Sequence, residues 1–119
     1  MILILRTGTE DNLLELRDIS GNIKFSNTWP ASKLLSEELP GLIEDALSSL
    51  DSKFDNVSGI IVFKGPGSYT GLRIGITVVN AIADQVGAPI VGQTGNNWIE
   101  DGLERLRHGE NDQIVLPEY

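Results

Sequence analysis

The chain has 119 residues, 40% of them hydrophobic and 22% charged, enough for one domain around one core. It contains no cysteine and a single histidine, His108, which excludes a disulfide framework, thiolate chemistry, a zinc site and a Ser-His-Asp triad. A net charge of −8 repels phosphate backbones, so any RNA is expected to be held mainly by another subunit. The opening Met1–Arg6 lacks the basic flank of a signal peptide, and no run approaches the ~20 apolar residues of a membrane span. The expectation is a cytoplasmic protein with no membrane contact.

In chain order, residues 2–7 form an apolar run with little alternation, the pattern of a central strand buried on both faces. A polar turn over Gly8–Asn12 leads to a return strand, Leu13–Arg17. Ser20-Gly21-Asn22 signals a second turn, and Ile23–Trp29 alternates cleanly, with Ile23, Phe25 and Trp29 expected on one side. Leu34, Leu35, Leu39, Leu42, Ile43, Ala46, Leu47 and Leu50 then recur at helical intervals. Pro40 inside that pattern requires either a kink or a helix that starts there. Val57–Phe63 reads as a fourth strand, residues 70–86 as a second helix stopped by Gly87-Ala88-Pro89, and Pro89–Gly92 as a fifth strand. A third helix is expected over 97–107, and Ile114–Tyr119 as a last strand or a docked terminus. The order β-β-β-α-β-α-β-α predicts an α/β fold, a mixed five-stranded sheet with flanking helices, in the arrangement of a ribonuclease H-like module, the half-unit of actin-like ATPases.

The most distinctive stretch is Lys64-Gly65-Pro66-Gly67-Ser68-Tyr69-Thr70-Gly71-Leu72-Arg73-Ile74-Gly75. Gly-Pro-Gly forces a turn, and Ser68 or Thr70 can cap the helix that follows. Gly67, Gly71 and Gly75, four apart, give one helix face on which another backbone can come close. The helix itself is apolar nearly all round, with Arg73, Thr77, Asn80 and Asp84 as a thin polar stripe. That is more apolar surface than one sheet covers, which predicts a protein interface. Gly71 and Gly75 are the residues expected at the contact, with another chain as the neighbour.

The segment Gly65–Gly75 closely resembles the signature Gly-Pro-Gly-Ser-Phe-Thr-Gly-Leu-Arg-Ile-Gly of the bacterial TsaB (YeaZ) family, with Tyr69 in place of Phe. Residues 1–95 resemble that family's first subdomain more weakly, and 96–119 form a short helix and tail, so that 1–119 is read as one domain corresponding to that subdomain, either a minimised member, which the family-like ending Val115–Tyr119 favours, or a fragment. The resemblance implies a non-catalytic subunit of the machinery that makes threonylcarbamoyladenosine in tRNA, not an enzyme. It would pair through its two main helices with the catalytic transferase, recruit an ATPase subunit, and self-associate when alone. The partner surface so implied comprises Leu35, Leu39, Leu42 and Ile43 from the first helix. From the glycine segment and second helix it takes Gly67, Tyr69, Gly71, Leu72, Gly75, Ile76, Val79 and Ile82.

The chain departs from that family where the first strand ends. The family reads Leu-Asp-Thr-Ser-Thr-Glu; here the residues are Leu5-Arg6-Thr7-Gly8-Thr9-Glu10. Arginine cannot ligate the Mg²⁺ of an actin-like ATPase, so no metal and no cofactor are expected, ATP or ADP entering only at an interface with partner subunits. The glycine loop is not a Walker A sequence. Amides at the helix start, with Gly65, Gly67, Ser68, Thr70 and Arg73, are nevertheless candidate phosphate contacts. Arg73 is alternatively a surface arginine paired with Asp84 or a nearby carboxylate. The alternative function is a stand-alone actin-like nucleotide-binding or phosphotransfer domain. A nuclease reading is weaker, because Arg6 occupies the central acidic place and Glu10, Asp11, Glu15 and Asp18 read as solvated charges. Trp29 and Trp98 read as packing residues.

Overall fold

Strand β1 (Ile2–Arg6) is apolar up to its last residue, and it lies at the centre of the sheet with Ile2, Leu3, Ile4 and Leu5 all buried. The computed structural model describes residues 1–33 and 36–119. Leu34 and Leu35, including the interface expectation at Leu35, lie outside the described residues. Antiparallel β2 (Asp11–Arg17) and β3 (Ile23–Pro30) extend the sheet on one side of β1, and parallel β4 (Gly59–Phe63) and β5 (Ile90–Gln93) on the other, giving the order β3-β2-β1-β4-β5. This is the mixed five-stranded sheet that the order of elements implies.

Helices α1 (Leu39–Ser48) and α2 (Tyr69–Val86) are the crossovers before and after β4, and α3 (Trp98–Arg107) follows β5. Right-handed crossovers place α1 and α2 on one face. Gly75 of α2 packs on Thr7 just beyond β1, whereas Gly102 of α3 packs on Ile61, which is in register with Ile4. Odd and even positions point to opposite faces, so α3 covers the other side. Pro40 sits in the first turn of α1, where its missing N–H costs nothing, and the helix starts there rather than kinking. Ser68 caps α2 by accepting from the Gly71 N–H at 3.2 Å, and Gly87, in the left-handed region at φ 71°, ends it.

One expectation changes. Ile23 is 54% exposed, because a register shift between Leu16 and Arg17 takes it out of line with Phe25 and Trp29, which pack on the core. Of the two forms expected of the tail, a strand or a docked terminus, it takes the second: the Asn80 side chain of α2 donates to the Val115 carbonyl (2.9 Å) and accepts from its N–H (3.0 Å), and the Glu118 backbone N–H donates to the Lys64 carbonyl (2.7 Å).

Candidate functional site

The glycine segment links β4 to α2 and is held from two sides by its own chain. On one side is the turn after β1. Thr7 donates its hydroxyl to the Gly71 carbonyl at 2.6 Å, and the Ser68 N–H donates to the Gly8 carbonyl at 2.8 Å. A Cβ on Gly71 would stand 2.6 Å from Gly8 Cα, and one on Gly75 would overlap Thr7 Oγ1. On the other side is the tail. Gly65 has φ 135°, and any side chain there would run into the Glu118 carbonyl. Tyr119 stacks on Tyr69 at 4.8 Å between ring centroids, and the Arg73 guanidinium lies 5.3 Å from the Tyr69 centroid. A side-chain hydrogen bond with Tyr119, then the fields of Tyr69 and Tyr119, hold Arg73 charged above its ordinary value. Its neighbours are aromatic, so the pairing with Asp84 or another carboxylate is corrected.

The glycine face therefore belongs to the interior of this chain. Gly71 and Gly75 bring α2 against the Thr7-Gly8 turn, and Gly67 meets the Gly8 carbonyl. The neighbour they were expected to admit is part of the same molecule. Leu39, Ile43, Leu72, Ile76 and Val79 are buried in the core, whereas Ile82, 8% exposed, sits at the core's edge and lines an outer groove. The first five cannot form a partner surface without unfolding their own packing, and they are corrected to core residues. Of the expected surface, Tyr69 and Leu42 are exposed, at 60% and 37%.

What α2 does present is a different strip. Ile74, Thr77, Val78 and Ala81 run along its outer side. With Pro40 of α1, Phe54, Ile82, Gln85 and Val86, part of that strip lines a groove of about 360 Å³, so Ile82 is the one residue that the expected surface and this groove share. A second hollow, about 350 Å³, continues along Arg73, Ile74 and Thr77 to Tyr69. Ile74, Val78 and Ala81 escaped the sequence reading because a helix apolar nearly all round gives periodicity nothing to choose between. Asn80 did carry a signal, as one of the four polar residues of the stripe, but its partner Val115 is 35 residues away.

Of the candidate phosphate contacts, two amides are already used: Gly71 N–H by the Ser68 hydroxyl, and Ser68 N–H by Gly8. Gly65 is buried, and Thr70 and Arg73 are exposed. A separate crevice of about 410 Å³ opens at the carboxyl end of β1 and β4, lined by Arg6, Thr9, Glu10, Asp11, Phe63, Gly95, Asn96 and Trp98. Arg6 reaches the Asp11 carbonyl with Nε and Nη2, both at 3.4 Å. Glu10 and Asp11 line the same crevice, so its charge is mixed rather than simply cationic. Trp98 packs edge-on against Phe63 at 5.6 Å, as a buried packing residue. Glu15 is not solvated: it is 7% exposed, accepts from Arg17 at 2.8 Å and from the Ser26 hydroxyl at 3.3 Å, because its side of the sheet is partly covered by α3, whose Glu100 also pairs with Arg17. Among the described residues no group of three or more His, Cys, Asp or Glu could hold a metal ion. No described helix is long and apolar enough to cross a membrane.

Sheet order, crossover helices and the glycine turn before α2 define a ribonuclease H-like, actin-like module. Residues 29–94, more than half of the chain, match the TsaD family, described as tRNA N6-adenosine threonylcarbamoyltransferase. The chain belongs to that family, and within it is TsaB-like. It is 42% identical over 48 residues to the tRNA threonylcarbamoyladenosine biosynthesis protein TsaB of Bacillus subtilis, covering 40% of this chain and 21% of that protein. It is 30% identical over 93 residues to the tRNA N6-adenosine threonylcarbamoyltransferase of Bacillus licheniformis, covering 75% and 27%. YeaZ from Pseudomonas aeruginosa superimposes with a TM-score of 0.69 at 28% identity, over 78% of this chain and 43% of that one. The chain thus spans about a quarter of the curated relatives' length and under half of the solved structure.

Proposed function

We propose that this protein serves threonylcarbamoyladenosine formation in tRNA as a non-catalytic assembly subunit, pairing with the catalytic threonylcarbamoyl transferase. The observation that carries the reading is the outward strip of α2. Ile74, Val78 and Ala81 adjoin a groove with Pro40 and Phe54, and an apolar groove between two helices suits an apolar helix face of a partner. A non-catalytic role is supported by Arg6 in the place where the family's aspartate stands, and by a lone histidine, His108, whose side chain is 66% exposed in a polar end of α3. An ATPase subunit would join the pair, tRNA would be met indirectly, and any ATP or ADP would sit at an interface between subunits. The test is the mass in solution of the chain mixed with the transferase. A stable one-to-one complex supports the reading, and two separate species at micromolar concentration contradict it.

One observation favours a second reading, a nucleotide-binding domain acting alone. The Arg6 crevice lies outside the carboxyl ends of parallel strands, where open α/β sheets bind ligands. Calorimetric titration with ATP separates the two: tight binding by the isolated chain, with no pairing, selects the second.

A further inference from the structure

Arg6 and Phe63 end neighbouring parallel strands, β1 and β4. Arg6 has the parity of Ile4, and Phe63 that of Ile61, so both side chains fall on the α3 side of the sheet, away from the α2 groove. Trp98, the first residue of α3, packs on Phe63 and gives the crevice there an apolar wall. Thr9, Glu10 and Asp11 complete its lining on the turn into β2. That turn is held in place: the Asp11 carbonyl accepts from the Thr9 hydroxyl at 3.0 Å, and the Glu10 carbonyl accepts from Ala31 N–H at 3.1 Å.

The charges in this crevice are unlike those elsewhere in the chain. Of the five arginines, Arg17, Arg105 and Arg107 each pair with a carboxylate, and Arg73 lies against Tyr69. Arg6 meets a carbonyl instead, that of Asp11, with Nε and Nη2 both at the long distance of 3.4 Å. Two of its five N–H donors are so engaged, and the other three have no partner among the described residues. Glu10 and Asp11 form no ion pair among the described residues either. A crevice of about 410 Å³ therefore holds uncommitted charge of both signs beside two aromatic rings.

That mixture selects the occupant. A polyphosphate gains from Arg6 but meets two carboxylates, and a plain amine meets the arginine. A small molecule with one charge of each sign satisfies both. We propose that the crevice binds a free α-amino acid with an apolar side chain. Arg6 takes the carboxylate through parallel N–H···O bonds, Glu10 or Asp11 takes the ammonium, and the side chain rests against Phe63 and Trp98. The inference gives the crevice of the nucleotide reading a different occupant, and it is independent of pairing through α2.

Heteronuclear NMR of the whole chain, titrated with L-leucine, tests it. The Gly95 amide and the Trp98 indole N–H should shift together and saturate with a Kd of about 1 mM, as for a small ligand in an open site. L-leucinamide lacks the carboxylate and N-acetyl-L-leucine lacks the ammonium, and each should bind about tenfold more weakly. Arg6→Gln, melting as the parent does, should lose about as much for L-leucine as the parent loses on going to L-leucinamide. The proposal is overturned by resonances that stay in place at about 10 mM L-leucine. Equal shifts from L-leucine and its two derivatives, or an Arg6→Gln chain that binds L-leucine as the parent does, overturn it too. ATP moving the same resonances at lower concentration than L-leucine overturns it in favour of the nucleotide reading.

Discussion

Two sides of α2 carry opposite signals, and the less conspicuous one faces outward. The inner side has the glycines, four apart, which are the feature of this chain that most resembles a contact surface. Gly71 and Gly75 are spent on the chain's own Thr7-Gly8 turn, close enough that a methyl group would collide. The outer side has Ile74, Val78 and Ala81, ordinary residues with no motif, and it is left beside an open groove. Close-approach spacing shows that some backbone comes near. It does not say whose.

The largest effect is expected from breaking the inner side. Gly75→Leu puts a branched side chain into Thr7, with backbone behind it. The cost should be about 3 kcal/mol or more, an overpacking in a site that cannot yield. Thermal unfolding should fall by ten degrees or more, taking about 4 °C per kcal/mol. A melting curve within about two degrees of the parent would reopen the glycine face as a surface.

Asn80 sharpens the same comparison, because it fixes the tail that flanks the inner side. Asn80→Ala leaves the Val115 N–H and C=O unpartnered and should cost about 1–3 kcal/mol. Hydrogen exchange should speed up at Val115 and Glu118 while α2 stays protected. Protection unchanged at those amides would mean that the tail is held elsewhere. Ser68→Ala removes the cap of α2 and should cost about 1 kcal/mol, read in denaturant unfolding; the outer strip is untouched, so pairing should survive.

The smallest effect is a pH dependence at Asp112. Burial raises its pKa, but hydrogen bonds from Arg105 and from Gly92 N–H outweigh that and hold it below the ordinary carboxylate value. A lowered folded pKa means stability that is complete above the unfolded value of about 3.9 and lost as pH falls through the folded one. Asp112→Asn should therefore flatten the acid limb below about pH 4. An unchanged acid limb would show that this carboxylate contributes nothing to the docked tail.

The fold was legible because its signals are local. An apolar run without alternation marks β1, a proline in a first turn marks α1, and Gly87 ends α2. Even the cap could be narrowed to Ser68 or Thr70. The candidate site was not legible in the same way. With apolar residues almost all round α2, periodicity could not say which of Leu72, Ile76 and Val79 or Ile74, Val78 and Ala81 face the sheet. That is decided by where the Thr7-Gly8 turn lies, more than 60 residues upstream of its contact with Gly71. The tail is a similar case: Asn80 reads as one more polar residue until Val115 is placed beside it. Glu15 was misread for the same reason, its cover coming from α3 and its partner Arg17 from two positions along the strand.

The central claim, that the outer strip of α2 is the pairing surface, can be tested at Ala81, which is exposed, whereas Ile74 and Val78 also pack against the core. Ala81→Arg places a charged side chain over the groove on an exposed position. Light scattering of equimolar mixtures with the threonylcarbamoyl transferase should show a one-to-one complex for the parent chain. Ala81→Arg, folded and melting at the same temperature, should show two free proteins. A complex of undiminished mass with Ala81→Arg would contradict the account.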